Sequence, residues 1–454
     1  MKKTSLVLLL LLSGYGATAQ VAAPPRKAAP KAATAAKATT ASVAPPVVDP
    51  AEAQRIDKLL EEYTAANRVP GAIGLVMRDG QVIYRKAVGL DDVAAQTTLK
   101  TDAIVRIASQ TKAITSVGVM MLYDEGKFQL DDPISKYLPA FSKTWVLGYL
   151  NPKDTVYTMV PAKSPVTIRQ LLSHTSGISY PAIGSKDAVM MYAKAKIPSG
   201  IGTPSGTLAK SMDDLAKLPL LHEPGQRFTY GLSVDVLGRL IEVLSGQPLD
   251  QYLRRRIFEP LGMKDTYFYL PADKQARLAK LYTEDNTQKT VPMQPIGNMS
   301  PDYPKAKGTY FSGGAGLSST IDDYAAFLQM LLNNGNLNGQ RILKPATVAL
   351  MTQNQIGTIN QGDHKFGLGF SLTSADNAIV PGLSPGSYEW GGIFGTTYWV
   401  DPKEKLVALI YTQKFPSGTS HDLGTKFKAA VYQSFVPDQK APSGVAAPAT
   451  TGTK

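Results

Sequence analysis

Between residues 51 and 67, apolar side chains recur at helical spacing, at Ile56, Leu59, Leu60 and Tyr63, and the run stops near Asn67 ahead of Val69-Pro70. This predicts an amphipathic helix. The period then changes. Ala72–Arg78 and Gln81–Val88 flank Asp79-Gly80, a pair suited to the two-residue turn of a β-hairpin. A second hairpin is predicted near the other end, where Thr396–Val400 and Lys405–Thr412 flank Asp401-Pro402-Lys403-Glu404, with a helix following from about His421 to Phe435. Between them lie helical stretches such as Ile321–Asn333 and long Gly/Pro/Ser-rich connections such as Ile197–Thr207. The predicted fold class is α+β, an α/β sandwich. One antiparallel sheet is built from both chain ends and flanked by helices, with an inserted, mainly helical lobe.

The ends follow other rules. Met1-Lys2-Lys3 is a charged start, Leu6 to Leu12 is apolar, and Ala17-Thr18-Ala19 offers a small-residue cleavage site before Gln20. Residues 1–19 therefore read as a secretory signal peptide, its apolar run too short to span a bilayer. Residues 20–50 are mostly Ala, Pro, Thr and Lys, too poor in large apolar groups to offset ordering entropy, and read as a disordered linker. The tail 437–454 has the same character. The expected folded domain is 51–436, secreted to a periplasmic or extracellular location, with no stable membrane insertion.

The 454 residues include 48 Lys plus Arg, 36 Asp plus Glu, and no Cys, for a net charge of +12. Lack of cysteine excludes disulfides, thiol nucleophiles, Cys-ligated zinc and iron–sulfur clusters. Eight of the basic residues are Lys2, Lys3, Arg26, Lys27, Lys31, Lys37, Lys440 and Lys454, in the terminal segments. The one tight basic cluster in the core is Arg254-Arg255-Arg256, and no basic run is interleaved with aromatics. Nucleic acid is therefore not an expected partner. The four histidines show no H-E-x-x-H spacing, so no catalytic metal is expected, and no Gly-rich phosphate loop suggests a nucleotide cofactor.

Two patterns compete for a serine nucleophile. Gly382-Leu383-Ser384-Pro385-Gly386 matches the G-x-S-x-G elbow formally. That elbow needs a backbone N–H after the serine, and Pro385 has none, so the stretch reads as a turn. Ser109-Gln110-Thr111-Lys112 is the single S-x-x-K match in the chain, followed by Ile114, Val117 and Met121 at helical spacing and by Gly126. Ser109 is thus expected at a helix N-terminus, where the dipole favours a developing alkoxide. Lys112, three residues on, shares its face. Its ammonium would favour the serine alkoxide; as a free amine it could take the proton. A surface Ser and Lys on an amphipathic helix is the alternative left open by these residues alone.

Ser109-Gln110-Thr111-Lys112 resembles the first motif of the serine β-lactamase and penicillin-binding-protein superfamily. Three further stretches resemble its class C β-lactamase and family VIII carboxylesterase branch. They are Thr167-Ile168-Arg169-Gln170-Leu171-Leu172-Ser173-His174-Thr175-Ser176-Gly177-Ile178, Tyr230-Gly231-Leu232-Ser233-Val234-Asp235 and Gly313-Gly314-Ala315-Gly316-Leu317-Ser318. Trp390-Gly391-Gly392 falls where the third motif is expected. The resemblance runs from about residue 55 to 435. It implies that Ser109 is acylated, Lys112 activates it, and Tyr230 helps move the proton. A phenol is a poor base at neutral pH unless a cation favours its anion. The resemblance also implies an oxyanion hole from the N–H groups of Ser109 and Ile393. His174 is expected to be a hydrogen-bonded structural residue, and His222 to lie at a turn.

Two departures bear on substrate. Leu232 stands where the β-lactamase pattern has Asn, and Trp390 where it has a basic residue. With Gly391 and Gly392 they are expected to form a substrate pocket that has exchanged polar recognition for apolar surface. The expected activity is therefore a carboxylesterase on short-acyl esters. The alternatives are a β-lactamase, a D,D-peptidase or D-aminopeptidase of the same fold, and a non-catalytic cell-wall-binding homologue. The expected partner is a small-molecule ester or amide; the oligomeric state is not legible.

Overall fold

The computed structural model describes residues 50–436 apart from 288, 297–298, 376–381 and 417. The expected signal peptide, the expected linker up to residue 49 and the tail 437–454 lie outside the described residues. The predicted first helix is α1, Pro50–Ala65. The first hairpin is β1, Gly71–Arg78, with β2, Gln81–Asp92. Arg78 faces Gln81, so Asp79-Gly80 is the turn. β2 runs past the expected Val88 because Leu90 pairs with Thr98 of a short β3, Thr97–Thr98.

The sheet is completed from the other end of the chain by β4, Lys365–Phe366, β5, Ser371–Leu372, β6, Tyr388–Gly392, β7, Thr396–Asp401, and β8, Leu406–Tyr411. The eight strands lie in the order β4-β5-β6-β7-β8-β1-β2-β3. β8 and β1 pair antiparallel from Tyr411 opposite Ile73 to Leu406 opposite Arg78, which joins the two ends of the domain. The second hairpin turn is held by Asp401. Its buried carboxylate accepts the N–H groups of Lys403 and Glu404 at 3.0 and 3.1 Å, and the Tyr432 hydroxyl at 2.7 Å.

Every residue of β8 is buried. Leu406, Ala408 and Ile410 face a layer formed by α1 and the C-terminal helix, with Trp399, Leu423, Phe427 and Val431. Val407, Leu409 and Tyr411 face the larger core. A strand covered on both sides reads as a continuous apolar run instead of alternating. Each buried Val, Leu or Ile of this strand contributes roughly 1.5–3 kcal/mol.

Three more helices position the site: α2, Thr111–Asp124, α3, Ser233–Ser245, and α4, Ile321–Leu332. The C-terminal helix α5 spans Gly418–Phe435. α4 starts where its sequence says it should, because the Thr320 side chain accepts the Asp323 N–H at 3.2 Å. The Gly382–Gly386 stretch is a turn, as expected. Ser384 is buried, and its N–H bonds the same Asp401 carboxylate at 3.2 Å. Among the described residues no helix is long and apolar enough to cross a membrane.

Candidate active site

The approach to Ser109 is an unusual piece of backbone. Ala108 is fully buried with φ of +43°, a conformation that costs a residue bearing Cβ about 1–2 kcal/mol. The turn is held on both sides: Ile107 N–H bonds Leu317 O at 3.1 Å, and Gln110 N–H bonds Ile107 O at 3.1 Å. Gln110 is locked in turn by the Tyr324 hydroxyl on its carbonyl and the Tyr411 hydroxyl on its side-chain oxygen, both at 2.8 Å. The result is a single 3₁₀ turn, Ala108–Gln110, leading into α2. Ser109, half-buried, lines a cavity of about 400 Å³ with Tyr230, Trp390, Gly391, Gly392 and Ile393.

Lys112 lies beneath this cavity and is itself buried. Its Nζ donates to Gly314 O at 2.8 Å and sits 4.5 Å from the centroid of the Tyr230 ring. Tyr230 is enclosed by aromatic neighbours: Tyr180 stacks on it at 5.7 Å, Trp390 lies at 5.5 Å and His174 at 4.9 Å. Its hydroxyl is buried and has no hydrogen-bond partner within the protein. A cation against the face of a ring is favoured electrostatically, more so when both are desolvated.

The strand β6 reaches this turn because Gly392 has no side chain. A Cβ there would lie 2.4 Å from Ile107 O and 2.4 Å from Thr396 Oγ1. Gly314 plays the same part below. A Cβ on it would lie 2.4 Å from Asp235 Oδ2 and 3.5 Å from Lys112 Nζ, so the buried carboxylate and the ammonium flank one glycine. Burial pushes the Asp235 carboxyl up, while the Ser312 hydroxyl, donating at 2.7 Å, and the Lys112 charge pull it down.

Leu232 departs from the expectation. It is completely buried, is absent from the cavity wall, and begins α3 as its N-cap residue, its N–H bonding Ser179 O at 3.2 Å. The side chain turns into the core, so any consequence for substrate comes from the amide it lacks and not from a surface it offers. His174 also differs in detail. It is buried with φ of +56°, and its Nδ1 has no partner; its backbone makes the bonds, to Leu171 O and from Thr229 N–H. Burial, and then the Lys112 charge, hold its pKa well below the usual histidine range, so the ring is neutral. His222 bonds Glu223 O and Thr229 Oγ1, both at 2.8 Å, beside the turn.

Two residues went unread in the sequence. Tyr180 lies just past the quoted stretch ending at Ile178, is buried against Tyr230, and has its phenol pKa pushed well up by burial. Asp235 lies within a quoted motif but carried no role. The basic cluster is engaged internally: the Arg254 guanidinium lies 4.3 Å from the Tyr267 ring centroid, and Arg256 pairs with Glu125 at 2.6 Å. Among the described residues no cluster of His, Asp and Glu is placed to hold a metal ion.

Known proteins share this arrangement of chain. An uncharacterized protein of Mycobacterium tuberculosis is 34% identical over 387 residues, 82% of this chain and 91% of that one. Esterase EstB of Burkholderia gladioli is 30% identical over 396 residues, 84% of this chain and 95% of its own. Among solved structures, EstCE1, a hydrolase with promiscuous acyltransferase activity, matches with a TM-score of 0.73 at 28% identity, covering 84% of this chain and 98% of that one. The model of the Beta-lactamase family matches residues 56–433. The chain therefore belongs to the Beta-lactamase family, within the serine β-lactamase and penicillin-binding-protein superfamily, and is a serine hydrolase of that fold.

Proposed function

We propose that this protein is an exported carboxylesterase that cleaves short-acyl esters through an acyl-enzyme on Ser109. The observation that carries the reading is the packing of one buried ammonium, Lys112, against Tyr230, which shares its cavity with Ser109. In the proposed sequence, Ser109 Oγ attacks the acyl carbon while its proton passes to the Lys112–Tyr230 pair, which enters the step one proton short of ammonium plus phenol and so has a base to receive it. The tetrahedral oxyanion accepts hydrogen bonds from the N–H groups of Ser109 and Ile393. Collapse breaks the bond to the alcohol oxygen, which takes the proton. Water then repeats the attack on the acyl-enzyme and releases the carboxylic acid. Losing one oxyanion donor costs about 3–4 kcal/mol in comparable sites.

Ester substrates are favoured over β-lactams by Trp390, an aromatic wall where the β-lactamase pattern has a cation for the substrate carboxylate. The names of two relatives, an esterase and a hydrolase with acyltransferase activity, point the same way. Export rests on the signal-peptide pattern of residues 1–19. The test is parallel hydrolysis of p-nitrophenyl butyrate and nitrocefin. Ester turnover with little nitrocefin activity supports the reading, and faster nitrocefin turnover overturns it in favour of a β-lactamase.

A further inference from the structure

The cavity at Ser109 has two chemically different ends. At one, Ile393 and Phe415 pack on a small apolar cluster that includes Ala108 and Phe394, with Ile201 of the 197–207 connection against it. At the other, Trp390, Gly391, Thr397 and His421 are shared with an adjoining recess of about 240 Å³. Apart from Trp390 and its glycines, that recess is walled by polar side chains. Gln361, Glu389, Thr425 and Lys428 are among them.

The charge there is already balanced. Lys428 and Glu389 form a close ion pair, so the one lysine of the recess is already compensated and an anion would meet Glu389, while His364 and His421 add two imidazoles to the polar wall. Gln361 Oε1 accepts the Ser371 hydroxyl at 2.9 Å, which leaves the amide N–H groups of this lining side chain as donors still to be matched. The Thr425 hydroxyl donates to His421 O at 3.1 Å, which leaves its oxygen to accept. An alkyl group placed here would strip water from these groups and return no hydrogen bonds. A ring with apolar faces and a rim of hydroxyls satisfies both the Trp390 indole and the polar wall.

We infer that the alcohol portion of the substrate is a neutral polyhydroxylated group, a sugar or polyol, seated beyond Trp390 with the acyl group at the Ile393–Phe415 end. The inference rests on the esterase reading and narrows its substrate class. The bond broken is the acyl–oxygen bond of a sugar ester, releasing the free hydroxyl and a short carboxylic acid with water as the one co-reactant.

The test compares kcat/KM of the purified protein for 6-O-acetylglucose, hexyl acetate and p-nitrophenyl acetate. The sugar ester is expected to exceed hexyl acetate by at least about tenfold. Gln361→Leu and Thr425→Val should each lower the sugar ester by about tenfold while p-nitrophenyl acetate stays within about twofold, which also reports that each variant is folded. Preference for hexyl acetate, or an equal fall on all three esters, overturns the inference and leaves the esterase reading standing. Failure to cleave p-nitrophenyl acetate at all overturns both.

Discussion

The Lys112 ammonium lies 4.5 Å from the centroid of the Tyr230 ring and is fixed there by a 2.8 Å hydrogen bond to Gly314 O. Tyr230 lines the cavity that Ser109 enters, Lys112 packs against its ring, and both are held by residues far away in sequence. The proposed mechanism gives the proton chemistry to this Lys–Tyr pair.

Replacing the cation tests that assignment. Lys112→Met keeps the length of the side chain and removes the charge. kcat for p-nitrophenyl butyrate should fall by about 10³ or more, the scale of losing a group that acts in proton transfer. Stability should fall as well, because Gly314 O loses its donor and the buried Asp235 carboxyl loses the charge that compensates it. Steady-state kinetics beside a thermal melt checks both parts.

The two stacked tyrosines should separate cleanly. Burial raises the Tyr180 phenol pKa and keeps it protonated. Tyr180→Phe should therefore cost no more than about tenfold in kcat, while Tyr230→Phe should cost about 10²–10⁴. Equal losses would place both phenols in the proton path.

His174 makes a prediction about stability and pH. Burial holds its pKa well below the ordinary value of 6.5. The unfolded chain takes up a proton as pH falls past about 6.5, and the folded chain does not. Stability should therefore decline as pH drops below that value, by up to ~1.4 kcal/mol per pH unit from this residue. His174→Asn, which tolerates the φ of +56°, should flatten the pH dependence of Tm between pH 5 and 7. A slope equal to that of the unmodified protein would assign the effect to other groups, such as the buried His222, whose pKa is also lowered.

The approach of β6 to the serine turn can be loosened by one methyl group. A Cβ on Gly392 would meet Ile107 O at 2.4 Å, so Gly392→Ala should push the strand from the turn and draw the Ile393 N–H away from the reacting carbonyl. A fall in kcat of about 10²–10³, as for the loss of one oxyanion donor, is expected with a folded protein by circular dichroism. Unchanged kcat would show that Ile393 has no part in the hole.

Much of this was legible before any coordinates. Asp79-Gly80 and Asp401-Pro402-Lys403-Glu404 announce their hairpins by turn chemistry, and the stretch Ile321–Asn333 reads as the helix that α4 forms. Ser109 and Lys112 are three residues apart, so one turn of helix suffices to relate them. What local pattern does not reveal is which way a side chain turns once distant segments meet. Leu232 was expected in the pocket wall, but as the residue that begins α3 it points into the core. Tyr180 joins the site because the backbone at Gly231 lies against Ile178 and Ser179, a contact between segments about 50 residues apart. The hairpin of Trp145–Leu150 with Tyr157–Pro161 is not announced in this way, because the longer connection 151–156 joins its strands in place of a two-residue Asn-Gly or Asp-Gly turn.

The most direct test of the central claim is the site of covalent acylation. Protein treated with a fluorophosphonate probe, then digested and mapped by mass spectrometry, should carry the label on Ser109, and Ser109→Ala should lose both the label and p-nitrophenyl butyrate hydrolysis. Ester turnover that survives in Ser109→Ala, or a label on another serine such as Ser384, would contradict the account.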